Sequence, residues 1–220
     1  LNILDCTLRD GGYYNNWNYS LNFITDYLKT INNSGIKFVE LGFSQIKKDS
    51  SKGNCYDVDN ELIQKLKIPK NIKIGIMLNA SDLISKNYNV KKFKKFIDNK
   101  KKIYLLRVAC HFDEINKIIP FIRVLKKTNL KLAINLMQVS EQKKKNILKI
   151  LKKLSKENID IIYFADSLGC MSSKDMKKTI LLFKKNCKAE IGFHAHDNMG
   201  NAKNNVLIAI RNGLNWIDTT

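Results

Sequence analysis

The chain has few of the features that mark secreted, membrane-spanning or disulfide-stabilised proteins. Its five cysteines are odd in number, widely spaced and never arranged as CxxC. This usage argues against a disulfide framework or a structural zinc site and favours a reducing, cytoplasmic setting. No apolar run approaches the roughly 18 residues that span a bilayer, and no signal peptide opens the sequence. We therefore expect a cytoplasmic protein with no membrane partner.

Arginine is scarce, although the net charge is +19. Only four of the 39 basic residues are arginine. Arginine is the side chain that best binds phosphates and recognises the edges of nucleic-acid bases. The lysines occur in runs such as KKFKKF, where they occupy the polar face of a helical pattern. A basic barrel that binds nucleic acid is the alternative, but such a face would interleave more aromatic side chains with the cations. We interpret the lysines as a solvated surface and expect no nucleic-acid partner.

The sequence contains no internal repeat and no low-complexity linker. Its 220 residues suit one domain with a sizeable core, so we predict a single catalytic domain over residues 1–220. Because the first residue is Leu1 rather than methionine, we interpret the chain as part of a longer protein. A homo-oligomer or an additional C-terminal domain stays open.

Short β-rich segments alternate with longer amphipathic helical segments along the whole chain. The predicted strands cover residues 2–8, 37–43, 71–78, 103–110, 130–137, 159–166, 189–195 and 215–220. Eight strands separated by seven helical regions predict an α/β fold, a (β/α)8 TIM barrel that stops before its last helix. An open doubly wound sheet usually has a glycine-rich phosphate turn after its first strand, and LRDGGYYNNW does not match that turn.

Polar side chains collect where the predicted strands end. In a TIM barrel these ends form the active face. The chain has three histidines, and all of them fall at such positions. The polar residues that the pattern brings together there are Arg9, Asp10, Glu40, His111, Asp166, His194 and His196.

The strongest local signal is the HAH sequence at residues 194–196. Residues two apart in a strand point to the same side, so His194 and His196 both project toward the barrel axis. Two packed structural histidines are one explanation, and two ligands of a divalent cation are the other. Asp10 supplies the carboxylate that favours the metal, with open positions left for water or substrate. Arg9 then stands beside the metal as a fixed positive charge, and Gly11 and Gly12 permit the tight turn that delivers both residues.

These motifs resemble those of the DRE-TIM metallolyase superfamily, which includes the HMG-CoA lyase-like or pyruvate carboxyltransferase domains. The resemblance rests on DCTLRDGG, VELGF and GFHAHDNMG, and it extends through RVACH, YFADSLGCM and WIDTT toward the 4-hydroxy-2-oxovalerate aldolase branch. It implies Mn²⁺ or Mg²⁺ held by Asp10, His194 and His196. It also implies that Arg9 steadies the enolate oxygen of a small 2-oxo acid. Glu40 would hold Arg9 in place, or would form an ion pair of purely structural value.

The resemblance implies an enzyme that cleaves a carbon–carbon bond, as when a 4-hydroxy-2-oxo acid gives pyruvate and an aldehyde. A Claisen-type acyltransferase that uses acetyl-CoA is the alternative. Tyr13 stands where the related aldolases have a histidine base. It would transfer a proton if its pKa were lowered, or form an aromatic wall. His111 and Asp166 are further candidates for substrate contacts.

Overall fold

The protein folds as a closed barrel of eight parallel strands that follow one another in chain order. The computed structural model describes residues 1–46, 49–85, 88–98 and 102–220. The strands β1 to β8 are Asn2–Asp5, Phe38–Phe43, Lys73–Asn79, Leu105–Cys110, Lys131–Leu136, Ile161–Asp166, Glu190–Ala195 and Trp216–Thr219. Each predicted strand segment overlaps one of them, and β3 runs one residue past its predicted end, so the (β/α)8 prediction is confirmed.

Helices connect the strands on the outside of the barrel. In the described residues, α1 to α10 are Thr7–Asp10, Gly12–Asn15, Leu21–Asn33, Asn60–Lys65, Ala80–Leu83, Val90–Asp98, Ile115–Leu125, Lys144–Leu154, Ser173–Asn186 and Ala202–Arg211, and a 3-10 turn covers Val139–Glu141. Helices α3, α4, α6, α7, α8, α9 and α10 lead from one strand to the next. Among the residues that the structure describes, no helix has the length and apolarity needed to cross a membrane.

The lysine-rich helices turn their apolar side toward the strands. Helix α6 buries Phe93 and Ile97, and its lysines lie on the exposed side. Helix α8 buries Ile147 and Leu151 in the same way. An amphipathic helix stabilises the barrel through this apolar stripe. The lysine runs therefore cover a solvated outer surface.

The interior of the barrel changes from apolar to charged along the strand direction. Residues from several strands pack inside it as one apolar cluster, formed by Leu4, Cys6, Phe38, Leu105, Ala133, Ile161, Tyr163 and Trp216. Two positions after Phe38, Leu105 and Trp216 come Glu40, Arg107 and Asp218, all of them buried. Because side chains two apart share one face of a strand, these charged groups lie directly above the apolar layer.

The first strand is shorter than the sequence pattern predicts. It ends at Asp5, and Thr7–Asp10 form a helical turn instead of extended chain. The Asp5 carboxylate accepts hydrogen bonds from the Thr7 backbone N–H and the Thr7 hydroxyl, both at 3.2 Å. A side chain that binds the backbone two residues later favours a turn over a strand. The β-type composition of residues 6–8 was therefore overridden by this local hydrogen bond.

Gly11 and Gly12 were predicted to give the turn after β1 the conformational freedom of glycine, but the backbone there does not need it. Gly11 has φ −64° and Gly12 lies in α2, so neither needs the left-handed region that favours glycine. A Cβ on Gly12 would lie 2.0 Å from Cδ1 of Trp17, and one on Gly11 would lie 2.6 Å from the Thr7 carbonyl oxygen. Close packing is the physical reason for both glycines.

Candidate active site

Four of the predicted site residues meet at the C-terminal face of the barrel. A cavity of about 750 Å³ reaches Asp10, Tyr13, His194 and His196 there, and it continues on the outer side of β1 and β8 past Ile3 and Ile217. The Oδ2 atom of Asp10 lies 3.4 Å from Nε2 of His194. These atoms are 184 residues apart in sequence, and the closed barrel brings β1 and β7 to either side of β8.

The two site histidines are in edge-to-face contact. Their ring centroids are 4.9 Å apart and their planes cross at 80°. His194 is buried and His196 is half-buried. Burial lowers the pKa of His196, and the neighbouring His194 ring lowers it further. A neutral imidazole keeps a lone pair on one ring nitrogen, which is the form that binds a cation.

Arg9 is buried between two carboxylates. Its Nε donates to Oε2 of Glu40 at 2.7 Å, and its Nη1 contacts Oδ1 of Asp10. The indole N–H of Trp17 donates to the Arg9 carbonyl oxygen at 2.8 Å and so anchors the turn. The Nη2 atom of Arg9 is buried and has no hydrogen-bond partner among the residues that the structure describes. This guanidinium therefore keeps one buried amino group whose hydrogen-bonding capacity the described residues do not use.

Two buried residues outside the predicted set complete the network. Arg107 donates from Nη2 to Oδ2 of Asp218 at 2.7 Å and lies 3.4 Å from Glu40. The same Asp218 oxygen lies 2.8 Å from Nδ1 of His194. Burial alone would raise the pKa of Asp218, but the Arg107 guanidinium and the His194 ring outweigh it and lower that pKa to about 2. The contacts form one closed ring, which runs through Asp10, Arg9, Glu40, Arg107, Asp218 and His194.

Asp10 and His194 are spaced to share a divalent cation. Ligands about 2.1 Å from an octahedral metal ion lie roughly 3 Å apart, close to the separation of Asp10 Oδ2 and His194 Nε2. The carboxylates of Asp10, Glu40 and Asp218 also outnumber the guanidinium groups of Arg9 and Arg107, so the network carries excess negative charge. Two imidazoles with one carboxylate on one side of a site leave further positions open.

A second cluster of metal-binding groups is less suitable. Cys6, His194 and Asp218 offer ligand atoms that all lie within 4.8 Å of one another. Burial raises the pKa of the Cys6 thiol well above its usual range, so the thiol stays protonated. The Oδ2 atom of Asp218 is already engaged by Arg107 and His194, and its Oδ1 atom is buried without a hydrogen-bond partner among the described residues. The ligand atoms of Asp10, His194 and His196 do not all lie within 4.8 Å of one another, so a metal site at these three residues stays a prediction that the Asp10–His194 spacing supports.

Tyr13 lines the cavity as part of an aromatic group. Its ring packs edge-on against Trp17, with centroids 4.7 Å apart, and its side chain is largely exposed. The surrounding protein raises the pKa of Tyr13 by desolvation, and this outweighs the opposite effect of Arg9. The lowered pKa that a tyrosine base would need is thus not found. The geometry agrees with an aromatic wall.

His111 and Asp166 do not line the cavity that contains His194 and His196. His111 is exposed and lines a separate cavity of about 470 Å³ with Phe112 and Gln138. The Asp166 carboxylate is buried and accepts backbone N–H groups of Cys170 at 3.2 Å and Met171 at 2.9 Å. The structure therefore places His111 apart from the others, whereas Asp166, paired in register with Ala195, lies close enough to His196 to raise its pKa slightly against the effect of burial.

Asp218 is the site residue that sequence reasoning missed. It lies in WIDTT, where it follows Trp216 by two positions in the last strand. Because Asp218 lies two positions after the buried Trp216 in the same strand, its carboxylate points into the barrel. An unpaired charge is unfavourable there. The strand alternation was therefore a usable signal. Its partner, Arg107, lies 111 residues away in the sequence. The spacing of residues therefore did not identify this partner.

The complete chain matches the HMGL-like family model, over residues 1–220. A 4-hydroxy-2-oxovalerate aldolase from Carboxydothermus hydrogenoformans is 25% identical and covers 100% of this chain and 64% of the relative. An oxaloacetate decarboxylase from Mycobacterium tuberculosis is 22% identical and covers 99% of this chain and 63% of the relative. The chain thus spans less than two thirds of the length of these curated relatives.

Solved structures show the same architecture. The N-terminal domain of a candidate aldolase from Bacteroides vulgatus superposes with a TM-score of 0.87 at 26% identity, covering 100% of this chain and 72% of that one. A hydroxymethylglutaryl-CoA lyase from Pseudomonas aeruginosa superposes with a TM-score of 0.79 at 11% identity, covering 100% and 76%, and this likeness shows the fold alone. The resemblance to the DRE-TIM metallolyases is confirmed, and the chain belongs to the HMGL-like family.

Proposed function

We propose that this chain carries the catalytic site of a divalent-metal-dependent carbon–carbon lyase of the aldolase type. Its substrate would be a 4-hydroxy-2-oxo acid, which it would split into pyruvate and an aldehyde or form in the reverse direction. The 4-hydroxy-2-oxovalerate aldolase among the relatives supports this substrate class. The observation that carries the proposal is the meeting of Asp10, His194 and His196 at one cavity beside the buried Arg9.

Asp10, His194 and His196 would hold the metal ion, which is Mn²⁺ or Mg²⁺. When bound, the ion would polarise the 2-oxo group and the carboxylate of the substrate as a Lewis acid. Arg9 is kept rigid by Glu40 on one side and Asp10 on the other. A guanidinium held in this way needs no reorganisation when negative charge develops nearby, and this is the condition for electrostatic stabilisation.

The proposed reaction breaks the bond between C3 and C4 of the substrate. A base takes the proton of the C4 hydroxyl, C4 becomes the aldehyde carbonyl, and the bonding electron pair moves to the C2–C3 unit. The resulting enolate carries its charge on the C2 oxygen, where the unpartnered Nη2 of Arg9 would donate a hydrogen bond. Protonation at C3 then gives the methyl group of pyruvate. Tyr13 would form an aromatic wall of the cavity, in edge-on contact with Trp17.

Decarboxylation of oxaloacetate is a second candidate, favoured by the relative from Mycobacterium tuberculosis. It gives the same pyruvate enolate, with carbon dioxide as the leaving group in place of the aldehyde. The same residues would therefore serve both reactions. The two differ in the group that must fit beside Tyr13 in the cavity.

Proton NMR of pyruvate in heavy water tests the step that both reactions share. With Mg²⁺ the methyl signal should decrease as deuterium enters C3, and EDTA should stop the exchange. An absence of exchange with Mg²⁺ and with Mn²⁺ would overturn the proposal. Release of pyruvate from 4-hydroxy-2-oxovalerate and from oxaloacetate, measured with a coupled dehydrogenase, then separates the two candidate reactions.

A further inference from the structure

Asp218 and Arg107 are two buried groups that the proposed reaction does not use. Asp218 is in β8 and Arg107 is in β4, and the two side chains form an ion pair of 2.7 Å in the barrel interior. Arg107 is wholly buried and packs over the ring of Tyr163, with its guanidinium carbon 4.3 Å from the centroid. A buried guanidinium with a fixed partner and a fixed ring beneath it has little freedom to turn. It therefore holds the Asp218 carboxylate in one orientation.

The Asp218 carboxylate in turn contacts only one nitrogen of His194. Its Oδ2 lies 2.8 Å from Nδ1, whereas Nε2 of the same ring faces Oδ2 of Asp10 at 3.4 Å. An ionised carboxylate accepts hydrogen bonds and cannot donate them, so the short contact requires a proton on Nδ1. In a neutral ring Nε2 then carries the lone pair.

We infer that Asp218, held by Arg107, is a positioning residue that fixes the His194 ring through a proton on Nδ1, with Nε2 directed toward Asp10. The inference rests on the metal site of the proposed function. Carboxylate partners of this kind orient ligating histidines and raise the basicity of the ring. The rival arrangement is a ring whose only proton is on Nε2, on the side of Asp10.

The tautomer is measured directly by ¹⁵N NMR of metal-free protein labelled in its histidine rings. The three rings are assigned by comparing spectra of His111→Gln and His196→Gln. We expect His194 to show a protonated Nδ1, held by the 2.8 Å contact with Asp218. A ring with its proton on Nε2 and none on Nδ1 would overturn the inference. This measurement needs no bound metal and no variant of Asp218.

The consequence for metal binding is tested with Asp218→Asn and a matched variant, Glu40→Gln. Each removes one buried carboxylate that contacts Arg107, but only Asp218 contacts His194. We expect the Kd for Mn²⁺ alone to rise about 10- to 100-fold in D218N and to rise less in E40Q. Equal changes in the two folded variants would show that charge alone matters and would overturn the positioning role. If wild-type protein binds no Mn²⁺ the proposed function fails, whereas the NMR result still decides the tautomer.

Discussion

Arg9 donates a 2.7 Å hydrogen bond from Nε to Oε2 of Glu40, a wholly buried carboxylate 31 residues later in the chain. The contact joins the turn after β1 to the neighbouring strand β2. It fixes the plane of the guanidinium, since Nε and Nη1 are both engaged. The orientation of the remaining Nη2 is therefore set by the fold before any ligand arrives.

Arg9→Lys should lower the metal-dependent exchange of pyruvate protons by about 100-fold or more, the usual effect of losing a fixed donor to a developing oxyanion. Lysine keeps the positive charge but lacks the planar fork that reaches Glu40 and a ligand together. The measurement is the loss of the pyruvate methyl signal in heavy water. Lys29→Arg, on the exposed side of α3, serves as the control. Exchange in R9K at the wild-type rate would contradict the role of Arg9.

His194→Ala should abolish tight binding of Mn²⁺, because it removes one of the three proposed ligands. His111→Ala is the matched control, since His111 lines a different cavity. Titration followed by electron paramagnetic resonance measures free Mn²⁺ in both variants. Retained affinity in H194A, or an equal loss in H111A, would refute the proposed ligand set. Circular dichroism establishes that both variants are folded.

Gly12→Ala should destabilise the protein by about 1 to 3 kcal/mol, the typical cost of overpacking. Its new Cβ would lie 2.0 Å from the buried Trp17 ring, which cannot move without losing its hydrogen bond to Arg9. Gly75→Ala is the control, because a Cβ there meets Leu105 at an ordinary 3.6 Å. Urea unfolding measures the two free energies. A smaller loss in G12A than in G75A would show that packing against Trp17 is not limiting.

A single thiol, Cys170, should react rapidly with a disulfide reagent near neutral pH. It is exposed, whereas Cys6, Cys55 and Cys110 are buried. Burial also raises the pKa of Cys55 to about 12 and that of Cys187 to about 12, so these thiols hold little reactive thiolate. Absorbance should show one fast phase in the wild type, and Cys170→Ser should lack it. A fast phase that persists in C170S would contradict this assignment.

The sequence predicted the barrel and the approach of Asp10, Tyr13, His194 and His196 at its C-terminal face, but it misplaced the end of the first strand. The β-rich segments between amphipathic helices were sufficient for β2 to β8, because each of these strands packs against helices and neighbours along its length. At Asp5 a hydrogen bond to Thr7 bends the chain into a helical turn. Composition does not report such a contact, which depends on one side chain reaching one backbone N–H.

The sequence by itself determined the fold family and the proposed ligands, because these depend on strand period and on local motifs such as LRDGG and HAH. Only the tertiary structure decided that Arg107, Asp218 and His194 are joined and that His111 lines a separate cavity. The members of the network come from the helical turn α1 and from β2, β4, β7 and β8. Buried charges need partners at hydrogen-bond distance, and closure of the barrel is what brings these distant strands close enough to provide them.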